Sequence, residues 1–167
     1  RIGEEITRGL GSGGNPQIGR KAAEESVDLL HEHLAGADMV FITAGMGGGT
    51  GTGASPVIAG IAKNLGALTI AIVEKPFNFE GRKRMETALQ GIAEIKDKVD
   101  TMIVVPNQRL LDVIERNISF MEAMKKVDDV LAMAVKSISE LITQGGMINV
   151  DFADIKSIML NAGTALM

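Results

Sequence analysis

Apolar residues along this chain occur either in short continuous runs or at helical spacing. The runs at 39–44, 67–73 and 101–105 are apolar and β-branched without polar alternation. This pattern is typical of strands that are covered on both faces of a parallel sheet. Helical spacing fills the segments between the runs. The chain is therefore expected to form an α/β fold, a Rossmann-like parallel sheet flanked by helices, with ligands bound at the carboxyl ends of the strands.

Capping residues and apolar spacing predict where the helices begin and end. Asn15 and Pro16 favour a helix start, and apolar positions from Ala23 to Leu34 predict one continuous helix that ends near Gly36. A helix that carries Met85, Leu89 and Ile92 is expected before the third strand. Further helices are expected over 56–65, 110–115 and 121–142, and from 151 towards 161. The long helix has its expected inward positions at Met124, Val127, Leu131, Ile138 and Leu141.

Composition narrows the classes of function. The 167 residues carry a formal net charge of −4, which offers no basic field for a nucleic-acid backbone. The chain has no Cys, which excludes thiolate metal sites and fits a reducing compartment, so the cytosol is the expected location. No apolar run approaches the roughly 18 residues of a membrane span. The chain also opens at Arg1 without an initiator Met, and we expect a fragment of a longer protein.

The segment 45–53, GMGGGTGTG, contains six glycines in nine residues and follows the first strand. Glycine is unfavourable in regular structure by roughly 0.5 to 1 kcal/mol, so a cluster is expected where the backbone approaches a ligand. Bare N–H groups, the following helix N-terminus and the hydroxyls of Thr50 and Thr52 favour a phosphate. A second glycine loop at 11–14 also faces a helix start. Two such loops suit a nucleoside triphosphate.

The kind of nucleotide is left open by these residues. The loop lacks the Lys of a Walker A motif, which disfavours a P-loop ATPase. Gly49, Gly51 and Ala54 satisfy the dinucleotide pattern G-x-G-x-x-G/A, and Glu74 lies twenty residues after Ala54, where a ribose-binding acid belongs. Against that alternative, the chain has no Tyr or Cys for redox chemistry.

Several segments resemble one family in chain order. GGGTGTG at 47–53 is similar to the tubulin and FtsZ signature, and RGLGSGGNP at 8–16, KPFNFEG at 75–81 and NVDFAD at 149–154 resemble bacterial-type FtsZ. The resemblance implies a GTP-binding domain over 1–150 with a long central helix at about 121–143. It also implies that 145–167 form an acidic loop and a helix leading towards a C-terminal domain outside this chain.

The resemblance further implies a set of nucleotide contacts. Glu80 and Arg84, one turn apart on a helix, would contact ribose and phosphate; from spacing alone, a surface ion pair explains them equally well. Asn107 and Asp129 would bind the guanine edge. The full set implied for nucleotide binding is Gly13, Gly14, Gly45, Gly47, Gly48, Gly49, Thr50, Gly51, Thr52, Gly53, Pro76, Glu80, Arg84, Asn107 and Asp129. No residue is expected to ligate a metal directly.

Catalytic residues are implied in the acidic loop. Spacing alone favours helix capping by Asp151 and Asp154. In proteins of this family, the loop lies at the far end of the subunit and reaches the nucleotide of the next subunit. The resemblance therefore implies that Asn149, Asp151 and Asp154 complete a shared hydrolytic site. Such a head-to-tail contact is open and propagates into a filament.

The implied function is GTP hydrolysis coupled to filament assembly in cell or organelle division. GTP, GDP and Mg²⁺ are the expected ligands, and adaptor proteins are expected to bind through regions outside this chain. Nucleic-acid binding and direct membrane insertion are not expected. The implied location is the division site in the cytoplasm, or the plastid stroma for a plastid homologue. A nicotinamide-dependent oxidoreductase and a noncatalytic filament subunit are the alternatives.

Three departures from the family pattern affect these expectations. The family's first strand and phosphate loop are expected to precede Arg1. Met124 occupies a position where the family commonly stacks a Phe on the purine, and Gln108 replaces the Asp usual after the Pro-Asn pair. Base contacts are therefore expected to differ more from the family than phosphate contacts do.

Overall fold

A computed structural model describes residues 1–113, 119–143, 152–160 and 162–166. Its strands form one parallel sheet in the order β1-β2-β3-β4. The strands are β1 Met39–Gly45, β2 Leu68–Lys75, β3 Thr101–Pro106 and β4 Gly163–Leu166. The predicted α/β class with a parallel sheet is confirmed.

Helices connect the strands and flank the sheet. They are α1 Glu4–Thr7, α2 Pro16–Glu25, α3 Val27–Leu34, α4 Thr50–Asn64, α5 Arg82–Lys96, α6 Asn107–Val113, α7 Phe120–Thr143 and α8 Phe152–Met159. A 3₁₀ turn at Asn78–Glu80 precedes α5. Among the described residues, no helix combines the length and apolarity needed to cross a membrane.

The sheet separates two apolar layers, and β2 belongs to both. Ala71 and Val73 pack in one cluster with residues of α4 and α5, whereas Ile70 and Ile72 pack in a second cluster with Ala134 of α7. Residues of β2 from Leu68 to Glu74 are all buried, as predicted for a strand covered on both faces. Alternate side chains of one strand thus attach helices to opposite faces.

The first strand is less covered than its sequence indicates. Val40 and Ile42 are buried on one face, but Phe41 is only partly buried and Thr43 is exposed. Among the described strands, β1 pairs only with β2 and is an outer strand of the sheet. The expectation of cover on both faces is wrong for β1, because an outer strand has packed elements on one side only.

The helix expected from Pro16 to Leu34 is two helices. The chain breaks at Ser26, with φ −103° and ψ 20°, and the Ser26 hydroxyl accepts a hydrogen bond from Gly3 N at 3.0 Å. Glu25 accepts from two backbone N–H groups of α1. Because these contacts come from α1 and from Gly3 just before it, the apolar spacing does not reveal them. As a result, Val27 is 37 % exposed rather than inward.

Other element bounds differ for local reasons. Helix α4 begins at Thr50, inside the glycine-rich segment, rather than at Pro56. The exposed Leu89 of α5 was expected on its inward face, whereas Ala88 and Ile95 are buried there. Strand β4, which the sequence does not signal, pairs with β3 in the same sheet.

Candidate functional site

The carboxyl ends of three strands meet at one edge of the sheet. Gly45 at the end of β1 is in register with Glu74 of β2, and Lys75 is in register with Pro106 of β3. The glycine-rich segment leaves β1 here, and Asn107 begins α6 directly after β3. Such an edge is where open α/β sheets bind ligands.

The glycine-rich segment joins β1 to the first turn of α4. The N–H groups of a helix's first turn have no acceptor within the helix, and the helix dipole adds partial positive charge there. Gly47 N donates to the Thr52 hydroxyl at 2.9 Å, which fixes the turn that precedes α4. The segment therefore presents a helix N-terminus of fixed geometry at the edge that holds the strand ends.

The second glycine loop touches the first. The buried Ser12 hydroxyl lies 3.0 Å from the Thr50 hydroxyl and is hydrogen-bonded to it. Gly13 and Gly14 have φ of 57° and 76°, a region that suits glycine. Asn15 caps α2 by accepting from Gln17 N at 2.9 Å. The structure brings the two predicted phosphate loops together.

Packing accounts for most of the glycines in the segment. A Cβ would collide with α2 or its N-cap at Gly49 and Gly53, and would lie 2.8 Å from the carbonyl oxygen of Gly45 at Gly51. Gly47 has φ of 100°. Glycine density alone is thus weaker evidence for a ligand than the sequence indicates. Gly48 differs from these four, since a Cβ there meets nothing within 4 Å and φ is unexceptional.

The two threonines of the segment face different surroundings. Thr50 is exposed at the start of α4, whereas Thr52 is 3 % exposed and its methyl group packs toward Gly91 of α5. The Thr52 hydroxyl already accepts from Gly47 N. The structure thus places the Thr52 side chain inside the protein, where it supports the segment.

A small cavity of about 70 Å³ lies where the strand ends meet the loops. It brings together residues from β1, β2, the segment after β2, α5, α6 and α7. Five predicted site residues line it: Gly45, Pro76, Glu80, Arg84 and Asn107. Met46, Glu74 and Met124 complete the lining.

Glu80 and Arg84 form an ion pair at the rim of this cavity. Glu80 Oε2 lies 3.0 Å from Arg84 Nε, and Glu80 Oε1 accepts from Phe77 N at 2.8 Å. The two residues do not share one helix as expected, because Glu80 ends the 3₁₀ turn and Gly81, with φ of 100°, separates it from α5. Glu80 therefore fixes both the turn after β2 and the guanidinium of Arg84.

Glu74 and Asn107 provide buried polar atoms that lack partners. Glu74 is 8 % exposed and Asn107 is 4 % exposed. Glu74 Oε1 and Asn107 Oδ1 have no hydrogen-bond partner within the described part of the chain. Such orphaned acceptors are costly, so they suggest that a donor group of a ligand fills the cavity.

The Glu74 carboxyl has a perturbed acidity. Burial raises its pKa to about 7, a hydrogen bond from the Asn107 side chain opposes the rise, and the charges of Asp128 and Glu80 add to it. The uncharged form of Glu74 is thus accessible at neutral pH. Sequence reasoning noticed Glu74 only as a ribose-binding acid of the dinucleotide alternative.

Asp128 is an exposed acid of α7 that sequence reasoning missed and whose charge acts on Glu74. Met124 lines the cavity from α7, and a residue four positions later lies on the same helix face. Asp128 occupies that position, and its charge acts on Glu74. Asp128 and Asp129 are both exposed, and Asp129 lies one residue further along α7, about 100° around the helix axis from Asp128. The four-residue spacing from Met124 was the signal that favours Asp128.

The predicted catalytic residues fall partly outside the described chain. Asn149 and Asp151 lie outside the described residues, whereas Asp154 is exposed on α8. Lys156 Nζ donates to the Gly66 carbonyl at 3.3 Å, and the Thr101 hydroxyl donates to the Met159 carbonyl at 2.7 Å. Gly66 and Thr101 lie where β2 and β3 begin, so α8 contacts the edge of the sheet opposite the cavity.

The described residues contain no cluster of three or more His, Asp or Glu side chains placed to hold a metal ion. The cavity carboxylates Glu74 and Glu80 are engaged with Asn107, Phe77 and Arg84. A metal ion at this edge would therefore depend on oxygen atoms of the ligand and on water, as Mg²⁺ does at many phosphate sites.

Comparisons with known proteins identify the family and the fold. The model of the tubulin/FtsZ family, GTPase domain, matches residues 1–115. A structure of an empty FtsZ dimer from M. jannaschii has a TM-score of 0.94 at 50 % identity, over 98 % of this chain and 47 % of that chain. The W319Y mutant of FtsZ from M. jannaschii gives a TM-score of 0.95 at 50 % identity, over 99 % and 49 %.

A more distant structure shares the fold. CetZ2 from Haloferax volcanii, solved as a GTPγS-bound protofilament, has a TM-score of 0.81 at 22 % identity, over 99 % of this chain and 48 % of that chain. The chain thus spans about half the length of the proteins that it matches.

Proposed function

Because this chain belongs to the tubulin/FtsZ family, we propose that the cavity at its strand ends is part of a GTP site in a GTP-hydrolysing cytoskeletal protein. The observation that supports this most is the pair of orphaned acceptors on Glu74 and Asn107, beside the helix N-terminus of α4. One end of the site offers N–H donors for phosphates, and the other offers acceptors for N–H and O–H groups of a nucleoside.

The phosphates are proposed to lie along the two glycine loops. The first-turn N–H groups of α4 would bind phosphate oxygens, and the open space at Gly48 would allow close approach of the ligand to the backbone. Gly13 and Gly14 would contribute from the second loop. Arg84, whose side chain is 52 % exposed, adds the positive charge of this rim.

The base is proposed to lie between Asn107 and α7. Asn107 Oδ1 needs a donor, and guanine offers N–H groups on its edge. A carboxylate of α7 would accept from the remaining N–H groups, either that of Asp129, as the resemblance implies, or that of Asp128, whose charge acts on Glu74. Met124 would pack against the purine in place of an aromatic ring.

Hydrolysis is proposed to require a second subunit. Helix α8, which carries Asp154, contacts the sheet edge opposite the cavity, so one subunit cannot apply both to the same nucleotide. Asn149, Asp151 and Asp154 would position and polarise the attacking water when subunits stack head to tail. Assembly would then be open and form filaments. Mg²⁺ is expected to neutralise phosphate charge when bound.

The wider biological role follows the family. We propose that filaments of the whole protein act in cell or organelle division, at the division site in the cytoplasm or the plastid stroma. Adaptors would bind through regions outside this chain. Residues 1–150 would supply the GTP-binding domain, and 145–167 would lead from it to a further domain.

Nucleotide competition tests the proposed ligand. The full-length protein that contains this chain should be protected against thermal unfolding by GTP and GDP, and should not be protected by NAD or ATP at equal concentration. Protection by NAD instead would reject the assignment and favour the dinucleotide alternative. Turnover per subunit should rise with protein concentration through the assembly threshold, and constant turnover would contradict the shared hydrolytic site.

A further inference from the structure

The positions of three residues at the strand ends assign a part of the ligand to each strand. Gly45 ends β1 beside the phosphate loops, Glu74 is its register partner on β2, and Asn107 follows β3. In the placement proposed above, a nucleoside phosphate would have its phosphates over β1 and its base against Asn107. The sugar would then lie over β2, where Glu74 lines the cavity.

The charged groups that act on Glu74 oppose its ionisation, and the hydrogen bond from the Asn107 side chain compensates for this only in part. Glu80 of the 3₁₀ turn and Asp128 of α7 are acids, and both act to keep the proton on Glu74. Arg84 of α5 is the cation that lines the cavity, and it is already paired with Glu80 at 3.0 Å. Lys75, next on β2, is on the opposite face of the strand because successive side chains alternate. A bound triphosphate would add further negative charge to this edge.

From this geometry we propose that Glu74 contacts the sugar hydroxyls as an uncharged acid, so that binding of a nucleoside triphosphate takes up a proton. This inference rests on the proposed function and adds to it the uptake of a proton when the nucleotide binds. An uncharged carboxyl can donate its O–H to one hydroxyl and accept from another, which would satisfy the orphaned Oε1. An ionised carboxylate could also accept hydrogen bonds from the hydroxyls. Its negative charge, however, would be buried in the lining of the cavity and would lie close to the phosphates of the ligand.

The proposal predicts that nucleotide affinity falls as the pH rises. Burial already raises the pKa of Glu74 to about 7 without ligand. If only the protonated form binds well, the competent fraction falls about tenfold between about pH 6 and pH 8, and the apparent Kd rises by the same factor. Near pH 7.5, binding should take up most of one proton per site.

Isothermal titration calorimetry of the full-length protein with GTP tests this. The wild-type protein, Glu74→Gln and a surface control, Glu86→Gln, are titrated across this pH range in buffers of different ionisation enthalpy. Glu86 is an exposed acid that pairs with Arg82 on α5. Wild type and the control should show proton uptake and the tenfold pH dependence. Glu74→Gln, which is always uncharged, should bind without the uptake and keep its affinity at the higher pH.

The comparison with Glu74→Gln also controls for protons that the phosphates of the ligand take up or release. Phosphate groups titrate near pH 6, but they do so in every titration alike. Equal pH dependence in wild type and Glu74→Gln would overturn the proposal while GTP binding itself, and thus the proposed function, would stand. Failure of GTP to bind any of the proteins at every pH would contradict both.

The position of the sugar is tested with 2′,3′-dideoxyguanosine triphosphate. Loss of both hydroxyls should weaken binding about tenfold in the wild type and much less in Glu74→Ala, because the contact is already missing in that variant. Equal weakening in both proteins would place the hydroxyls away from Glu74 and overturn this part of the proposal.

Discussion

Glu74→Gln should stabilise the nucleotide-free protein, by an amount that grows with pH. Glu74 is 8 % exposed and its pKa is raised to about 7 by burial, whereas an unfolded chain has the ordinary value of 4.5. The folded protein therefore binds this proton more tightly than the unfolded protein does. For such a group, stability falls as the pH rises from the unfolded pKa to the folded pKa, and levels off above it.

The magnitude follows from the difference between the two pKa values. Each pH unit between them costs about 1.4 kcal/mol, so the ionised Glu74 destabilises the folded state by roughly 3 kcal/mol at high pH. Glu74→Gln cannot ionise, and it keeps an oxygen that can accept from Asn107. The free energy of unfolding of the variant minus that of the wild type should rise by roughly 2 to 3 kcal/mol between about pH 5 and pH 8.

Urea unfolding curves at several pH values measure this difference directly. Other titrating groups are common to both proteins and cancel in the subtraction. Glu86→Gln, which removes an exposed acid, should change the free energy of unfolding by less than about 0.5 kcal/mol with no trend in pH. If the difference in the free energy of unfolding between wild type and Glu74→Gln stays constant with pH, the surroundings of Glu74 do not disfavour its charge, and this explanation is wrong.

Three further sets of variants test the phosphate contact, the base contact and the shared hydrolytic site. Gly48→Ala should change the free energy of unfolding by no more than about 1 kcal/mol, since a Cβ at this position meets nothing within 4 Å. The same variant should lower GTP affinity at least about tenfold. The control Gly60→Ala, in the interior of α4, should leave GTP affinity unchanged. Equal affinity in both variants would show that no ligand approaches Gly48. Asp128→Asn and Asp129→Asn distinguish the two candidate base contacts: one of these variants should reduce the preference for GTP over ATP about tenfold or more, and an unchanged preference in both would contradict a base contact from α7. Asp154→Ala should form filaments whose GTP turnover is about 100-fold lower, and unchanged turnover in such filaments would contradict the shared site.

The sequence predicts what depends on local pattern. The runs of β2 and β3 are continuous and apolar because these strands are covered by helices, and their bounds agree with the structure within two residues. The start of α4 was missed because Gly51 and Gly53, helix breakers by propensity, stand in its first turn for close packing against β1 and α2. The short β4 has too few residues to give a strand signal.

The sequence also predicts the part of the site that depends on local motifs. Motif residues such as Glu80, Arg84 and Asn107 do meet at one cavity. The burial of Glu74 depends on three strands that end together, and the choice between Asp128 and Asp129 depends on how α7 is rotated against the sheet. Such relations between distant segments leave little trace in local spacing.

A crystal structure of the full-length protein with a slowly hydrolysed GTP analogue would show where the nucleotide binds. We expect the phosphates against the backbone of 47–53, the sugar over Glu74 and the guanine in contact with Asn107. Clear density for the nucleotide at another surface, with this edge of the sheet free of ligand, would show that the nucleotide site lies elsewhere.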